Sequence, residues 1–235
     1  MLLESIDTAR RRDQGRFAEL LQKIRAAGTD NLSFFGGGYE KEGGYSLQQN
    51  PEEFAALVAY LGVAVIARPT YLEIGTASGG VCRLLHEEIG FGRVIVMDDY
   101  GHHRWTEQAE HLGKVKLSLP PDAYAEHIGD SHAPAARTFL DDQCAEVVLF
   151  PTGGEGVDRA RIDVAFVDGD HTYAGVSQDL GLVRYCMRPG GLVILHDIVA
   201  CEGVKRAWEE LHWCDKVAAF IGSGRPLGIG VGRVR

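Results

Sequence analysis

The chain predicts a doubly wound α/β fold: a seven-stranded sheet, mostly parallel, with one antiparallel C-terminal strand and helices on both faces. Three observations predict it. From residue 70 to about residue 213, short apolar runs alternate with segments of helical periodicity, the pattern of a parallel sheet covered on both sides. The glycine-rich stretch "GTASGG" (75–80) follows the first apolar run, where such a sheet turns from strand to helix. Two final strand-like runs, 216–222 and 227–234, are joined only by "SGRP", which permits an antiparallel hairpin but no right-handed crossover.

The elements follow in order. Phe17, Leu20, Leu21 and Ile24 fall at helical spacing, predicting an amphipathic helix to about Ala27 that Gly28 closes. "FFGGGYEKEGGYSLQQ" (34–49) has too many glycines for regular structure and reads as a lid or linker, with Phe34, Phe35 and Tyr39 as candidates to close over a substrate. Residues 1–50 are thus an N-terminal helix and Gly-rich cap, and 51–235 the main domain.

Asn50 and Pro51 start a marked helix in which Glu53 completes an N-x-x-E capping pattern. Its apolar stripe is Phe54, Leu57, Val58, Leu61 and Val65, and Pro69 ends it. Strands are expected at 70–75, 93–98, 124–130, 162–168 and 192–197. Helices are expected after the glycine turn, at "APAARTFLDDQC", at "YAGVSQDLGLVRYCM" and at "GVKRAWEELH". The His-rich segment after residue 98 reads as an insert, "PTGGEG" as a loop, and "RPGG" as the turn into the fifth strand.

Bulk properties limit the function. The 235 residues suffice for a real core, and 45% hydrophobic content is that of a globular domain. No run has signal-peptide or membrane-spanning character, and five scattered cysteines without a C-x-x-C pair read as reduced intracellular thiols. The expectation is a cytoplasmic protein with no membrane partner. A net charge of −9 opposes nucleic acid, and Arg10–Arg12 read as a solvated helix face. The N-terminal helix and the linker aromatics offer a surface for homo-oligomer formation.

The chemistry begins at "YLEIGTASGG". Gly75 and Gly79 let a ligand approach the backbone, and the helix that starts near Gly79 favours a negative group. Alone, the stretch is weak evidence and has a tight strand-to-helix turn as its alternative reading, and its spacing is not the dinucleotide fingerprint G-x-G-x-x-G. The second strand ends in Asp98, placed to accept from both ribose hydroxyls. The third ends in Asp130, with Ser131 beside it for an adenine amino group. Together these make an adenosine site.

The ordered set resembles the class I S-adenosylmethionine-dependent methyltransferases, a Rossmann-like family whose first motif is acid-x-Gly-x-x-x-Gly. Glu73, Gly75 and Gly79 match that motif, with Thr76, Ala77 and Ser78 inside it; Asp98 matches the ribose acid and Asp130 the adenine-side acid. "QNPEEFAALVAYL", "GDHTYAGVSQDL" and "LHD" look like a bacterial small-molecule subgroup related to the cephalosporin-hydroxylase and macrolide-sugar O-methyltransferase branch. The resemblance covers about residues 45–234. It implies S-adenosylmethionine as cofactor and a hydroxyl on a sugar or secondary metabolite as small-molecule acceptor.

"FVDGDHTYAGV" (166–176) then faces the methyl-transfer site. The resemblance puts Asp168 nearest the methionine part of the cofactor. Asp170 reads as a helix cap. His171 reads two ways: as the base that takes the hydroxyl proton, or as a cap or surface histidine. Asp168 and Asp197 are a candidate pair for a divalent cation, Mg²⁺ if the donors are mainly oxygen. The related metal-dependent enzymes carry Asn or Asp directly after the second acid, whereas this chain has Ile198, so Asp170, His171, His196 or Asp99 would have to complete the shell. His102, His103 and Trp105 read as a pocket wall or a surface loop. Two rivals stand beside this reading: an NAD(P)-dependent oxidoreductase and a non-catalytic S-adenosylmethionine-binding protein.

Overall fold

A computed structural model describes residues 3–26, 47–99, 105–144, 146–149, 155–158, 162–223 and 226–235. The N-terminal region has two helices where one was expected, α1 (Ile6–Arg12) and α2 (Gln14–Ala26), and Ser5 caps the first through its hydroxyl on the Thr8 amide. Arg10–Arg12 end α1, where Arg12 pairs with Glu4 and Arg10 lies over the Phe17 ring. Most of the expected lid, including Phe34, Phe35 and Tyr39, lies outside the described residues. The helix after it, α3 (Pro51–Ala64), begins where expected, with the Asn50 carboxamide accepting from the Glu52 and Glu53 amides. It stops at Val65, earlier than Pro69, because Val65 is already extended.

The main sheet contains seven strands: β1 (Thr70–Ile74), β2 (Arg93–Asp98), β3 (Tyr124–Ile128), β6 (Ile162–Val167), β7 (Met187–Leu195), β8 (Cys214–Phe220) and β9 (Ile229–Val234). Their spatial order is β3-β2-β1-β6-β7-β9-β8, and β9 runs antiparallel to both neighbours. β4 (Glu146–Leu149) and β5 (Glu155–Asp158) form a separate antiparallel pair where the sequence suggested only a loop. "RPGG" is not a turn before β7 but a bulge within it: pairing with β6 passes from Met187 directly to Leu192. At the other edge of the sheet, the Glu4 amide and carbonyl bond to β8, which covers an otherwise open strand.

Alternation along the strands divides the core in two. Tyr71, Val94, Val96, Val164, Phe166 and Ile194 face α1–α3 together with α4 (Gly80–Ile89) and α5 (Trp105–Ser118). Leu72, Ile74, Ile95, Met97, Ala165, Val193 and Leu195 face α6 (Pro134–Cys144), α7 (Tyr173–Cys186) and α8 (Glu202–Glu209). The α5 helix occupies part of what the sequence suggested was an insert; its Gly113 and polar composition hide a face formed by Leu112 and Val115. Cys82, Cys144, Cys186 and Cys214 are buried and Cys201 half-buried, with no disulfide among the described residues. No described helix is long and apolar enough to cross a membrane.

Candidate active site

Register aligns the carboxyl ends of five parallel strands, β3, β2, β1, β6 and β7. Beyond the strands the ladder continues: Gly129 N bonds Asp98 O, Gly75 N bonds Met97 O, Asp168 N bonds Ile74 O, and His196 N bonds Val167 O. These bonds bring the glycine turn and the strand-end acids onto one edge of the sheet, where β1 and β6 diverge to helices on opposite faces. That point is where ligands bind in doubly wound sheets.

The glycine turn is a backbone cradle. Gly75 has φ +83°, and a Cβ there would lie 2.1 Å from the Asp168 carbonyl oxygen. Only glycine lets β1 and β6 approach this closely. Gly79, at φ +75°, opens α4, and Ala77 is also left-handed at φ +46°. Thr76 Oγ1 reaches Met97 O at 3.5 Å, and Ser78 Oγ receives the Gly80 amide. The Asp98 carboxylate accepts from Ala77 N at 2.7 Å, so the second strand's acid braces this turn. Glu73 lies beneath it, buried, and accepts from the Tyr71 hydroxyl at 2.7 Å. Burial pushes the Glu73 carboxyl well above its ordinary range; the Tyr71 bond opposes this, and the charges of Asp168 and Asp98 add to it.

Asp130 and Ser131 follow β3 on the same edge. Asp130 is exposed and accepts the His132 amide, while Ser131 donates to Asp179 on α7 at 2.7 Å. Asp170 does not cap α7. Its carboxylate accepts Thr172 N in the preceding turn, and Thr172 itself caps the helix through the Gly175 amide, because Asp170 is two residues too early.

His171 is no cap either. Its Nε2 lies 3.4 Å from Asp168 Oδ1 and 3.3 Å from Asp197 Oδ2. The buried His196 Nδ1 lies 3.0 Å from the same Asp168 oxygen and 3.5 Å from the same Asp197 oxygen. Burial by itself would raise the Asp168 pKa, but the two imidazoles outweigh it and hold the carboxylate well below the usual range. Burial would likewise depress His196, yet Asp168 and Asp197 push it up to about 10. His171 is raised chiefly by its bond to Asp168, against burial.

Three members of this corner lay outside the sequence argument or at its margin. Gln49 donates to Asp168 Oδ2 at 3.4 Å from the end of the cap segment. Cys201 Sγ sits 3.6 Å from His171 Nδ1. Glu53, expected to close the N-terminus of its own helix, instead accepts the Gly222 and Gly228 amides of the C-terminal hairpin. No periodicity marks any of the three, since each acts across a long stretch of chain. His102 and His103 lie outside the described residues, and nothing is described of the Trp105 side chain.

A glycine cradle after β1, an acid closing β2 and a reversed penultimate strand define the class I methyltransferases, which use S-adenosylmethionine. The chain belongs to the family whose model is described as a methyltransferase domain: that model matches residues 72–198, more than half of the length, from within β1 to just past the end of β7. No curated protein sequence matches. Among solved structures, the chain is similar to the O-methyltransferase TomG of Streptomyces achromogenes, involved in tomaymycin synthesis and bound to S-adenosylmethionine (18% identity, 91% of this chain and 89% of that one, TM-score 0.55). It is also similar to an O-methyltransferase of Bacillus cereus in complex with S-adenosylhomocysteine (17% identity, 98% and 100% covered, TM-score 0.54). At such identities these structures support the fold. Membership of the methyltransferase family sets aside the nicotinamide alternative.

The residues fit the cofactor, because the cradle has no side chain at Gly75 or Gly79 and an acid at its mouth. The corner fits Mg²⁺ poorly. Asp168 and Asp197 do converge, but the nearest further donors are imidazole nitrogens, whereas Mg²⁺ takes oxygen.

Proposed function

We propose that this methyltransferase transfers the methyl group to a hydroxyl of a small molecule, with His171 as the base. The observation that supports this most is the contiguity of Gly75 with Asp168: the cofactor turn and the acid–imidazole corner touch through backbone. When bound, S-adenosylmethionine supplies an electrophilic sulfonium methyl.

In this reading the amides of the turn and the N-terminus of α4 hold the carboxylate end of the cofactor, with Glu73, Thr76, Ala77 and Ser78 shaping the turn. Asp98 engages the ribose, and Asp130 with Ser131 the adenine. Asp168 faces the methionine portion and, with Asp197, holds the His171 ring. Asp168 and Asp197 face Nε2–H and stabilise the imidazolium that forms as the opposite nitrogen, Nδ1, takes the acceptor's proton, the role an aspartate plays beside a catalytic histidine in hydrolases. Positioning and water exclusion supply the remainder of the barrier reduction. A small-molecule acceptor suits the acidic chain, and the cap (1–50) would bound its pocket.

The test pairs binding with turnover. His171→Gln should bind S-adenosylhomocysteine as the wild type does in calorimetry, while kcat for a hydroxylated acceptor falls by ~10²–10⁴-fold. Unchanged kcat would remove His171 from the chemistry, and wild-type protein that is folded yet binds no S-adenosylhomocysteine would remove the cofactor assignment.

A further inference from the structure

Asp179 is an acid on a helix face made otherwise of apolar residues. It lies on α7 between Val176 and Val183, packed toward the sheet, and is fully buried. Its Oδ1 atom accepts from the Ser131 hydroxyl at 2.7 Å and lies 3.2 Å from His132 Nε2. Its Oδ2 atom is buried beside Gly169 and has no partner among the described residues. Burying an acid with one oxygen unpaired costs free energy that a leucine of similar shape would not. We propose that Asp179 is a positioning residue for purine specificity: it draws the Ser131 proton inward, so that the turn after β3 presents only acceptors and selects a 6-amino purine over a 6-oxo purine. The inference rests on the reading that sets adenine at Asp130 and Ser131, and adds the residue that decides what they recognise.

Two contacts place this group on the cofactor edge. The Gly129 amide bonds the Asp98 carbonyl, so Asp130 and Ser131 follow directly beside the acid proposed for the ribose. From below, α7 begins just after the loop that carries Asp168 and His171, and Asp179 Oδ2 comes within 3.1 Å of where a Cβ would stand on Gly169. The Ser131–Asp179 bond therefore ties the turn after β3 to the loop after β6.

Proton placement supplies the selectivity. A serine hydroxyl has one proton and two lone pairs, and when free to rotate it pairs with an amine or a carbonyl alike. Here the rotation is fixed. A carboxylate only accepts, so the single proton points at Asp179 Oδ1 and the lone pairs are left for the ligand. Asp130 is acceptor-only as well, and its Oδ1 takes the His132 amide at 2.8 Å, which fixes the turn. The exocyclic amine of adenine brings two donors to such an edge. A 6-oxo group brings none and sets lone pair against lone pair, which leaves polar atoms unmatched out of water. Burial raises the Asp179 carboxyl, and the Ser131 bond and the charge of His132 oppose that rise.

The experiment is calorimetric titration of the full-length protein, at about pH 8 to favour the carboxylate, with S-adenosylhomocysteine and with its 6-oxo analogue S-inosylhomocysteine. The readout is the ratio of the two affinities. Wild type should favour the 6-amino ligand on the order of 100-fold, the cost of an unmatched polar contact. Asp179→Leu keeps the shape and frees the Ser131 hydroxyl to turn, so the ratio should fall by at least ~10-fold, chiefly through tighter binding of the 6-oxo ligand. Ser131→Ala should lower the ratio too, and adding Asp179→Leu to it should change the ratio no further, because the acid acts through that hydroxyl. If circular dichroism shows Asp179→Leu unfolded, Asp179→Ala takes its place with the same expectation. A bond that served only to tether the turn to α7 would weaken both ligands alike; an unchanged ratio in the folded Asp179 variant overturns the proposal. Wild type that binds both ligands equally also overturns it, while leaving the methyltransferase reading standing. Folded wild type that binds neither strikes the cofactor reading itself.

Discussion

At Gly75 a single missing Cβ carries two obligations. Its φ of +83° is left-handed, and the hydrogen in place of a side chain admits the Asp168 carbonyl. Gly90 provides the control, with φ +75° but nothing within 4 Å of where a Cβ would stand. Gly90→Ala should therefore cost about 1 kcal/mol in urea unfolding, the strain alone, with S-adenosylhomocysteine affinity unchanged. Gly75→Ala should cost roughly 1–3 kcal/mol or more and also abolish that affinity, because the turn must separate from β6. Equal effects at the two sites would contradict the account of the cradle. The same scale explains why His171 was open to two readings: its spacing from Asp168 suits a cap as well as a site, and the ring position between two carboxylates, which excludes the cap, is what supports the proposed base.

Between elements, α4 is held on one side by α2 and on the other by α5. Lys23 and Arg16 from α2 both reach Glu88, and these charges hold its carboxyl below the usual range despite burial. On the α5 side, Arg83 Nη1 lies 3.1 Å from the buried His111 Nδ1, and the imidazole pKa falls to about 4, through burial first and Arg83 second. A histidine depressed in the folded state stabilises the fold above its unfolded value of 6.5, and that contribution is lost as pH falls toward 4. Urea unfolding should show wild-type stability declining across pH 6.5–4 more steeply than that of His111→Gln; parallel declines would mean that His111 is not the titrating group. At this scale the sequence also failed informatively. The α5 helix was hidden because Gly113 and its polar residues dilute the period, and burial of Leu112 and Val115 against α4 overrides weak propensity. The β4–β5 pair was hidden because four-residue strands around a glycine-rich link are as short as loops.

For the whole molecule, the site is an edge to which distant segments contribute: Gln49 from the cap, Gly75 after β1, Asp98 after β2, Asp168 and His171 after β6, and His196, Asp197 and Cys201 after β7. A ligand spanning that edge stabilises every segment it joins. S-adenosylhomocysteine at about 100 times its Kd should add ~2.7 kcal/mol and raise the melting temperature by roughly 5–10 °C in calorimetry. A shift near zero at saturation would show that the ligand does not bind the folded edge.

The order of residues along the chain is enough to specify the doubly wound sheet, the reversed hairpin, the glycine cradle and the strand-end acids. These follow from periodicity, loop length and residue type, which are local properties. Which groups meet is settled by tertiary contacts alone: Glu53 clasps the hairpin rather than its own helix, Gln49 reaches Asp168, and Asp168 and Asp197 share two imidazoles instead of an oxygen shell. Those contacts depend on strand register and on single backbone angles such as that of Asp197. A pattern of apolar residues reports which face is buried, and is silent on which polar atoms arrive at the same point.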